Sequence, residues 1–243
     1  MNSEKEFLIY GKRAVYEAIE NNVEIDKVFL QKKNSYLDNI KSKIHKKNIQ
    51  ISFVPVEKLN RLTKNNHQGI VAIISPISTL GIDDLEAKIK TKKSFLILIL
   101  DGITDTKNFG AIVRSAECFD VNMIIISKSG SSSINGETIK SSSGAIFNVP
   151  ICKVNHIKDA IFLLKENEID IIGTSDKGSL SLYKHQFSLK TALIIGSEGK
   201  GVSKSVLSLC NEVVGIEMKG NISSLNASVA TGIFLSELRR QLS

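Results

Sequence analysis

The chain has little cysteine and histidine, and their spacing excludes several kinds of site. Its three cysteines, Cys118, Cys152 and Cys210, are far apart and form no CxxC pair. Scattered cysteines in odd number argue against a disulfide framework and against a zinc site, so we expect free thiols. The four histidines also lack metal-ligand spacing. We expect structural or solvent-facing roles for them, and no bound metal.

Long apolar runs are absent as well. The longest, such as Phe95–Leu100, are far shorter than the ~20 residues that a membrane span requires. The first residues, Met-Asn-Ser-Glu-Lys-Glu, are polar and mixed in charge, which fits no signal peptide. We therefore expect a cytoplasmic protein without a membrane partner.

What the chain does have is a positive charge concentrated near its beginning. The 243 residues carry a net charge of +7. Residues 1–75 hold 13 Lys and Arg against 8 Asp and Glu, whereas residues 76–243 hold 19 against 17. A basic balance is consistent with nucleic-acid binding but does not establish it. The lysines at positions 41–47 form either a solvated helix face or a phosphate contact.

Alternating apolar strands and helices predict an α/β fold in two domains. Residues 1–75 form a small α/β domain. Residues 76–92 interrupt the periodicity with Pro, Ser, Thr and Gly and are interpreted as a linker, with room for a short helix over Ile82–Ile89. Residues 93–243 alternate again. Their candidate strands, 95–100, 121–126, 146–152, 169–174, 191–196 and 212–217, are mostly apolar, as parallel strands covered on both faces must be.

Three polar loops follow strands of this second domain. One precedes a helix expected to begin near Gly110, one contains Gly196-Ser-Glu-Gly-Lys-Gly201, and one runs from Gly220 to Asn226. Ligands of open α/β sheets bind beyond the carboxyl ends of the strands. No GxGxxG follows a strand and the Walker spacing is missing, so neither a dinucleotide fold nor a P-loop is supported. Ser224 or Asn226 is suited to cap the last helix.

Taken in order, the three loops resemble the three motifs of the SpoU/TrmH family of RNA 2′-O-ribose methyltransferases, within the SPOUT superfamily. The matching stretches are Asn108-Phe-Gly-Ala-Ile-Val-Arg114, Gly196–Gly201 and Ser224-Leu-Asn-Ala-Ser-Val-Ala230. The resemblance implies a C-terminal SPOUT α/β domain with a deep trefoil knot over about residues 191–230. Before it, the sequence resembles an L30e-like, RNA-binding substrate domain. It also implies a homodimer formed through the knotted domains.

The resemblance further implies S-adenosylmethionine as methyl donor, bound by the loops after positions 174, 196 and 216. Ile216 and Leu225 are expected to sandwich the adenine, although core packing is the plain alternative for both. Backbone groups would meet the polar edge of the adenine. The expected cofactor-binding residues are Thr174, Gly196, Ser197, Ile216, Met218 and Leu225.

The catalytic residues that the resemblance implies are Asn108, Arg114, Glu198, Ser224 and Asn226. A guanidinium keeps its proton at neutral pH, so we interpret Arg114 as a clamp on a substrate phosphate, with that phosphate or a water accepting the hydroxyl proton. Asn108 would hold Arg114. Glu198 would pair with an Arg114 side chain, either of its own subunit or of a second subunit. Ser224 and Asn226 would bond to the cofactor carboxylate or the substrate.

Two positions depart from the family pattern: Thr106 and Glu217 stand where proline is common. The closest likeness is to the bacterial branch that methylates a guanosine ribose of 23S rRNA, which makes 23S rRNA or the assembling large ribosomal subunit the expected partner. Two alternatives stay open. One is tRNA methylation, and the other is a noncatalytic ribosome-assembly protein that keeps the fold.

Overall fold

The computed structural model describes residues 7–32, 34–90, 93–178, 180–222 and 224–242. Within these ranges the strands are β1 (Phe7–Tyr10), β2 (Ile25–Gln31), β3 (Ile51–Val54), β4 (Ile70–Ile74), β5 (Phe95–Asp101), β6 (Met123–Ser127), β7 (Ile151–Val154), β8 (Asp170–Thr174), β9 (Leu180–Ser181), β10 (Lys190–Gly196) and β11 (Glu212–Gly215). The α-helices are α1 (Lys12–Glu20), α2 (Asp38–Lys46), α3 (Val56–Leu62), α4 (Ile82–Ile89), α5 (Thr106–Cys118), α6 (Gly136–Ser141), α7 (Ile157–Glu166), α8 (Lys204–Leu207) and α9 (Ala227–Leu242).

The chain divides into two compact units. The first comprises the chain up to Ser78 together with Ser133–Asn148, and the second comprises Thr79–Ser132 and the chain from Val149 onward. The short segment 133–148, which contains α6, therefore packs with the N-terminal residues although it lies inside the C-terminal half of the sequence.

The first unit is built on a mixed sheet. Its strand order over the described residues is β1-β4-β2-β3, with β4 antiparallel to both neighbours and β2 parallel to β3. Central strand β4 is buried along almost its whole length because helices and neighbouring strands cover it. Helix α6 packs against β1 and α1. Its Gly136 lies so close to β1 that an added Cβ would stand 2.4 Å from the carbonyl oxygen of Leu8.

The second unit is built on a parallel sheet. Its order over the described residues is β7-β6-β5-β10-β8-β11-β9, and neighbouring strands in that order are parallel. Central strands β5 and β10 are mostly apolar and are buried except at Asp101, the last residue of β5, and Lys190, the first of β10, since both faces of the sheet are covered. The predicted α/β class, with a small α/β unit preceding a mainly parallel sheet, is confirmed.

Helix α5 begins earlier than the sequence suggested. It starts at Thr106 rather than near Gly110, because the Asp105 carboxylate accepts a hydrogen bond of 2.7 Å from the backbone N–H of Asn108. An aspartate in this position satisfies one of the free donors at a helix start. Asn108 consequently lies in the first turn of the helix rather than in a loop.

The strand predicted over 146–152 is wrong in its first half. Ala145–Phe147 form a 3-10 turn within the first unit, and β7 starts only at Ile151. Ile146 is buried by that turn, so it shows the same apolar character as a strand residue. Pro150 separates the two segments, and it has no backbone N–H for a strand ladder.

The stretch interpreted as a linker contains the short helix α4, which is part of the second unit's core. Leu85 and Ile89 are buried there against β5 and α7 residues. Positions 91 and 92 of that stretch lie outside the described residues. Within the described ranges, no helix has the length and apolar character needed to cross a membrane.

Candidate active site

A single cavity lies at the carboxyl ends of β8, β10 and β11, where the polar loops of the second unit begin. Its volume is about 490 Å³, within the ~300–1,000 Å³ typical of small-molecule sites. The six residues expected to bind the cofactor all line it: Thr174, Gly196, Ser197, Ile216, Met218 and Leu225. Their binding role stays a prediction, but the structure brings them to one place from three separate loops.

Two apolar side chains on opposite ends of the last loop help to form this cavity. Ile216 is half-buried, and Leu225 is 38% exposed. Core packing is therefore a poor explanation for Leu225, because a core leucine is seldom so exposed. Ala230 and Phe234 of α9 add apolar surface to the same cavity. The result suits a flat, apolar ring such as adenine.

The loop after β10 is held in a tight turn by its backbone. Gly201 donates its N–H to the carbonyl oxygen of Ser197 at 2.8 Å, and Ser203 donates its N–H to the Asp101 carboxylate at 2.8 Å. A Cβ on Gly196 would stand 2.0 Å from the backbone of Gly201 and Val202. Position 196 thus requires glycine for packing of the loop itself, whatever the loop binds.

Three of the expected catalytic residues form one hydrogen-bonded group. The amide of Asn108 donates to the Glu198 carboxylate at 2.7 Å. The amide of Asn226 donates both to that carboxylate and to the Asn108 side-chain oxygen, the latter at 3.1 Å. Each residue comes from a different motif, so the group joins the starts of helices α5 and α9 to the loop after β10.

Asn226 has a second task in this group. Its side-chain oxygen accepts hydrogen bonds from the backbone N–H groups of Ser228 and Val229, at 2.9 and 3.4 Å. Of the two candidate caps, Asn226 is therefore the one that caps α9. Ser224 is exposed and lines the cavity instead, as Glu198 also does.

Arg114 stands apart from this group. It lies on α5 and is exposed, and none of the described residues forms a hydrogen bond or ion pair with it. The expected contacts of Arg114 with Asn108 and Glu198 are not formed within the chain; Oε1 of Glu198 accepts from Asn108 and Asn226 instead. Its guanidinium group is available to an outside partner.

The two departures from the family pattern leave the cavity unobstructed. The Glu217 side chain is 61% exposed and lies 3.7 Å from the Lys219 ammonium group, whereas its neighbours Ile216 and Met218 line the cavity. The extra carboxylate is therefore not part of the cavity wall. Thr106 is the first residue of α5, a position that proline and threonine can both occupy.

Sequence reasoning missed several charged residues at the cavity. Lys177, Lys200 and Lys204 line it together with Asp176. Lys200 lies inside the Gly196–Gly201 motif, which was the available signal, but the residue type alone did not distinguish it from a solvated lysine. No group of three or more His, Cys, Asp or Glu side chains suited to a metal occurs in the described part of the chain.

Comparison with known families gives matches over both units. A model of the SpoU rRNA Methylase family matches residues 95–236, and one described as RNA 2′-O ribose methyltransferase substrate binding matches residues 8–80. A Staphylococcus saprophyticus protein named for the TrmH family of tRNA/rRNA methyltransferases is 33% identical over 98% of this chain and 96% of its own length. A Staphylococcus aureus (strain COL) relative of the same name is 34% identical, covering 96% of each chain.

Solved structures share the fold over nearly the whole chain. The SpoU methyltransferase AviRb from Streptomyces viridochromogenes, in complex with AdoMet, has a TM-score of 0.81 at 24% identity, covering 98% of this chain and 90% of that one. An AdoMet-bound rRNA methyltransferase from Sinorhizobium meliloti has a TM-score of 0.81 at 22% identity, covering 98% and 88%. At these identities the likeness concerns the fold.

Proposed function

Because the chain belongs to the SpoU rRNA methylase family, we propose that it transfers a methyl group from S-adenosylmethionine to the 2′-hydroxyl of a guanosine ribose in 23S rRNA. The observation that carries the proposal has two parts: residues of the second and third motifs line one cavity, and Asn108 of the first motif is hydrogen-bonded to Glu198 and Asn226 of the other two. RNA methylation as such is the activity of the family. The base, the RNA and the ribose position are our proposal.

The cavity residues fit S-adenosylmethionine. Ile216 and Leu225 would enclose the adenine, while backbone groups of Gly196, Ile216, Met218 and Leu225 would meet its polar edge. Thr174 donates its hydroxyl to the Ile194 carbonyl oxygen at 2.8 Å, so it braces the wall of the cavity. Ser197 and Ser224 offer hydroxyl groups to the methionine part, whose carboxylate the cavity lysines attract. When bound, S-adenosylmethionine supplies an electrophilic methyl group.

The substrate side of the site is assigned to Arg114. Its exposed guanidinium clamps a phosphate of the RNA, because the planar fork matches phosphate oxygens. The clamp orients the ribose so that its 2′-oxygen faces the methyl group, and such positioning accounts for much of the barrier reduction. The hydroxyl proton passes to that phosphate or to a water. Asn108, Glu198 and Asn226 act by fixing the three loops around the reacting groups.

We also infer a homodimer and a knotted C-terminal segment. An exposed surface on α9 and the loop before β10 supports the dimer: Val229 is 51% and Tyr183 61% exposed, beside a depression of about 340 Å³. A second subunit on this surface would cover apolar area and could bring Glu198 towards the partner's phosphate-clamping arginine. The sheet order supports the knot, since β10 lies between β5 and β8 and α9 returns to pack against α5.

The division of labour proposed for the domains gives RNA recognition to residues 1–75, a connection to residues 76–92 and chemistry to residues 93–243. The match of residues 8–80 to a substrate-binding family supports it. A truncated protein that begins at residue 90 would be a poor test of this division, although it would keep all three motifs. It would lack Leu85 and Ile89 of the second core and would expose the face of α6 that packs against β1.

Of the two alternatives, one has a supporting observation and the other has none. The relatives are named for both tRNA and rRNA, so tRNA is the second candidate substrate. A noncatalytic assembly protein would need only the RNA-binding unit, but it would not need the motif residues around the cavity. Mapping ribose methylation on total RNA from cells with and without the protein separates the three: a lost guanosine mark in 23S rRNA supports the proposal, and a lost tRNA mark or no change overturns it.

A further inference from the structure

Four segments of the first unit meet around one exposed side chain, Gln68. The backbone N–H of Lys12 and the ammonium group of Lys140 both donate hydrogen bonds of 3.0 Å to its side-chain oxygen. Tyr36 joins them, because the Lys12 ammonium group donates to the Tyr36 carbonyl oxygen at 3.1 Å and lies 5.0 Å from the ring centroid. We call Lys12, Tyr36, Gln68 and Lys140 the Gln68 cluster.

The backbone at Gln68 is held in an uncommon conformation. Its φ of 54° lies in the left-handed region, where a side chain costs energy, and Gly69 follows with φ 79°. Buried His67 anchors this turn: its Nδ1 accepts from the Gly69 N–H at 3.0 Å and its Nε2 bonds to the Asn60 side-chain oxygen at 2.9 Å. Burial lowers the pKa of His67, which keeps the ring neutral as these bonds require. Such strain is often found where a side chain serves a ligand.

The two ammonium groups of the cluster are not neutralised. Among the described residues, neither Lys12 nor Lys140 forms an ion pair with a carboxylate. The lysines of helix α2 are different: Lys41 pairs with Asp38 at 2.6 Å and Lys43 with Glu20 at 2.5 Å. Those contacts favour the solvated-face interpretation of residues 41–47. They leave the Gln68 cluster as a better candidate for contact with phosphate.

Tyr36 is 84% exposed, which is unusual for so large a ring. Its backbone is fixed because its N–H donates to the Asn34 side-chain oxygen at 3.2 Å. The Lys12 ammonium group contacts the ring, and most of the ring surface stays open. Aromatic side chains of this kind stack on unpaired bases, and neighbouring cations hold the phosphates.

We propose that the Gln68 cluster binds an unpaired nucleotide of the RNA substrate. Tyr36 stacks on the base, Lys12 and Lys140 hold the flanking phosphates, and the amide nitrogen of Gln68 donates to the base edge or the ribose. A paired base offers no free face to Tyr36, so a loop or single strand fits and a duplex does not. This inference rests on the proposed function, because it names where RNA is held apart from the reacting ribose.

Binding of two labelled RNAs to the full-length protein tests the proposal. The probes are dodecauridylate and an RNA duplex of the same length, followed by fluorescence anisotropy. Tyr36→Ala should weaken single-strand binding about ten-fold and leave duplex binding unchanged, while Tyr36→Phe should stay within about two-fold of the wild type. Because the ring is exposed, neither change should affect folding.

A charge-matched pair of variants isolates the lysines. Lys12→Gln with Lys140→Gln should reduce the slope of log affinity against log salt by about 1.4 for the single strand. Lys46→Gln with Lys58→Gln removes the same charge from exposed lysines of the same unit and should leave the slope unchanged. Equal losses in both pairs would show a general charge effect and overturn the site, as would an unaffected Tyr36→Ala variant.

Methyl transfer separates this proposal from the one on which it rests. With RNA from cells lacking the protein, Tyr36→Ala should raise KM for RNA about ten-fold at unchanged kcat. If the wild type transfers no methyl group, the proposed function fails, yet the anisotropy results still decide whether the cluster binds unpaired RNA. If the wild type is active and the variant keeps its KM, the cluster proposal alone is wrong.

Discussion

The side-chain amide of Asn108 donates a hydrogen bond of 2.7 Å to the carboxylate of Glu198, a residue 90 positions further along the chain. Asn226 donates to the same carboxylate. The Glu198 carboxylate thus connects the first turn of α5 to the N-terminal cap of α9. The arrangement requires that both asparagine amides donate and that the carboxylate accepts.

The first prediction inverts that polarity. Asn108→Asp places a carboxylate against Glu198, and mutual repulsion should separate the loops and lower kcat. Adding Glu198→Gln should restore much of the loss, since the new amide can donate to Asp at 108 while its oxygen still accepts from Asn226. A double-mutant cycle on kcat/KM should give a coupling of about 0.5–3 kcal/mol. Additive losses would mean that the contact does not contribute to activity.

The second prediction concerns Arg114. Arg114→Ala should abolish methyl transfer while the affinity for S-adenosylmethionine changes no more than a few-fold, because the side chain does not line the cavity. Arg114→Lys should be a poor substitute, since an ammonium group lacks the planar fork. Calorimetry and single-turnover assays measure the two quantities. Near-normal turnover of either variant contradicts the phosphate clamp.

The third prediction locates the adenine. Leu225→Asp places a charge in the cavity wall and should weaken S-adenosylmethionine binding at least about ten-fold, because an apolar contact worth about 1.5–3 kcal/mol is lost. Ile222→Asp is the matched control: it lies in the same loop, is 79% exposed and does not line the cavity. Equal calorimetric affinities for the two variants would move the adenine elsewhere.

A bulky residue at position 196 is a less informative variant, although it too would block the cavity. The clash with the backbone of Gly201 and Val202 would shift the loop itself. Lost binding would then not distinguish occupied space from a displaced loop.

The fourth prediction concerns the dimer. Val229→Asp with Tyr183→Asp puts two charges on the exposed surface formed by α9 and the loop before β10, so the mass measured by light scattering should fall from dimer to monomer. Because both side chains are exposed, the fold measured by circular dichroism should stay unchanged. A dimer that persists at micromolar concentration would place the interface on another surface.

The fifth prediction concerns thiol reactivity. Burial raises the pKa of Cys152 and of Cys210 to about 11, whereas Cys118 is exposed. At pH 8 the thiols of Cys152 and Cys210 hold almost no thiolate, which is the form that reacts. Iodoacetamide should therefore alkylate the native protein at Cys118, and at all three cysteines after denaturation. Mass spectrometry of the peptides checks this; rapid native labelling of Cys152 would contradict its burial.

Residue patterns alone determined the α/β class and most of the strands, whereas the residues expected around the cavity came from the resemblance of the loops to family motifs. Strands such as β5 and β10 were predictable because a strand covered on both faces must be apolar throughout. The start of α5 was misplaced by a few residues, although Asp105 offered a cap. The 3-10 turn at Ala145–Phe147 was taken for a strand, because apolar residues look the same in both when each is buried.

Only the tertiary structure decided which distant residues contact one another. Nothing local in the sequence relates Asn108 to Glu198, or Lys140 to Gln68, which lies 72 positions away. The periodicity of apolar residues predicts which residues are buried, and the motif residues indicate which loops are candidates for binding a ligand. Which loops become neighbours depends on strand order, and segment 133–148 packs with the N-terminal unit because its small residues fit against β1 and α1. Contacts between distant residues follow from the packing of whole elements, so they appear only once the chain has folded.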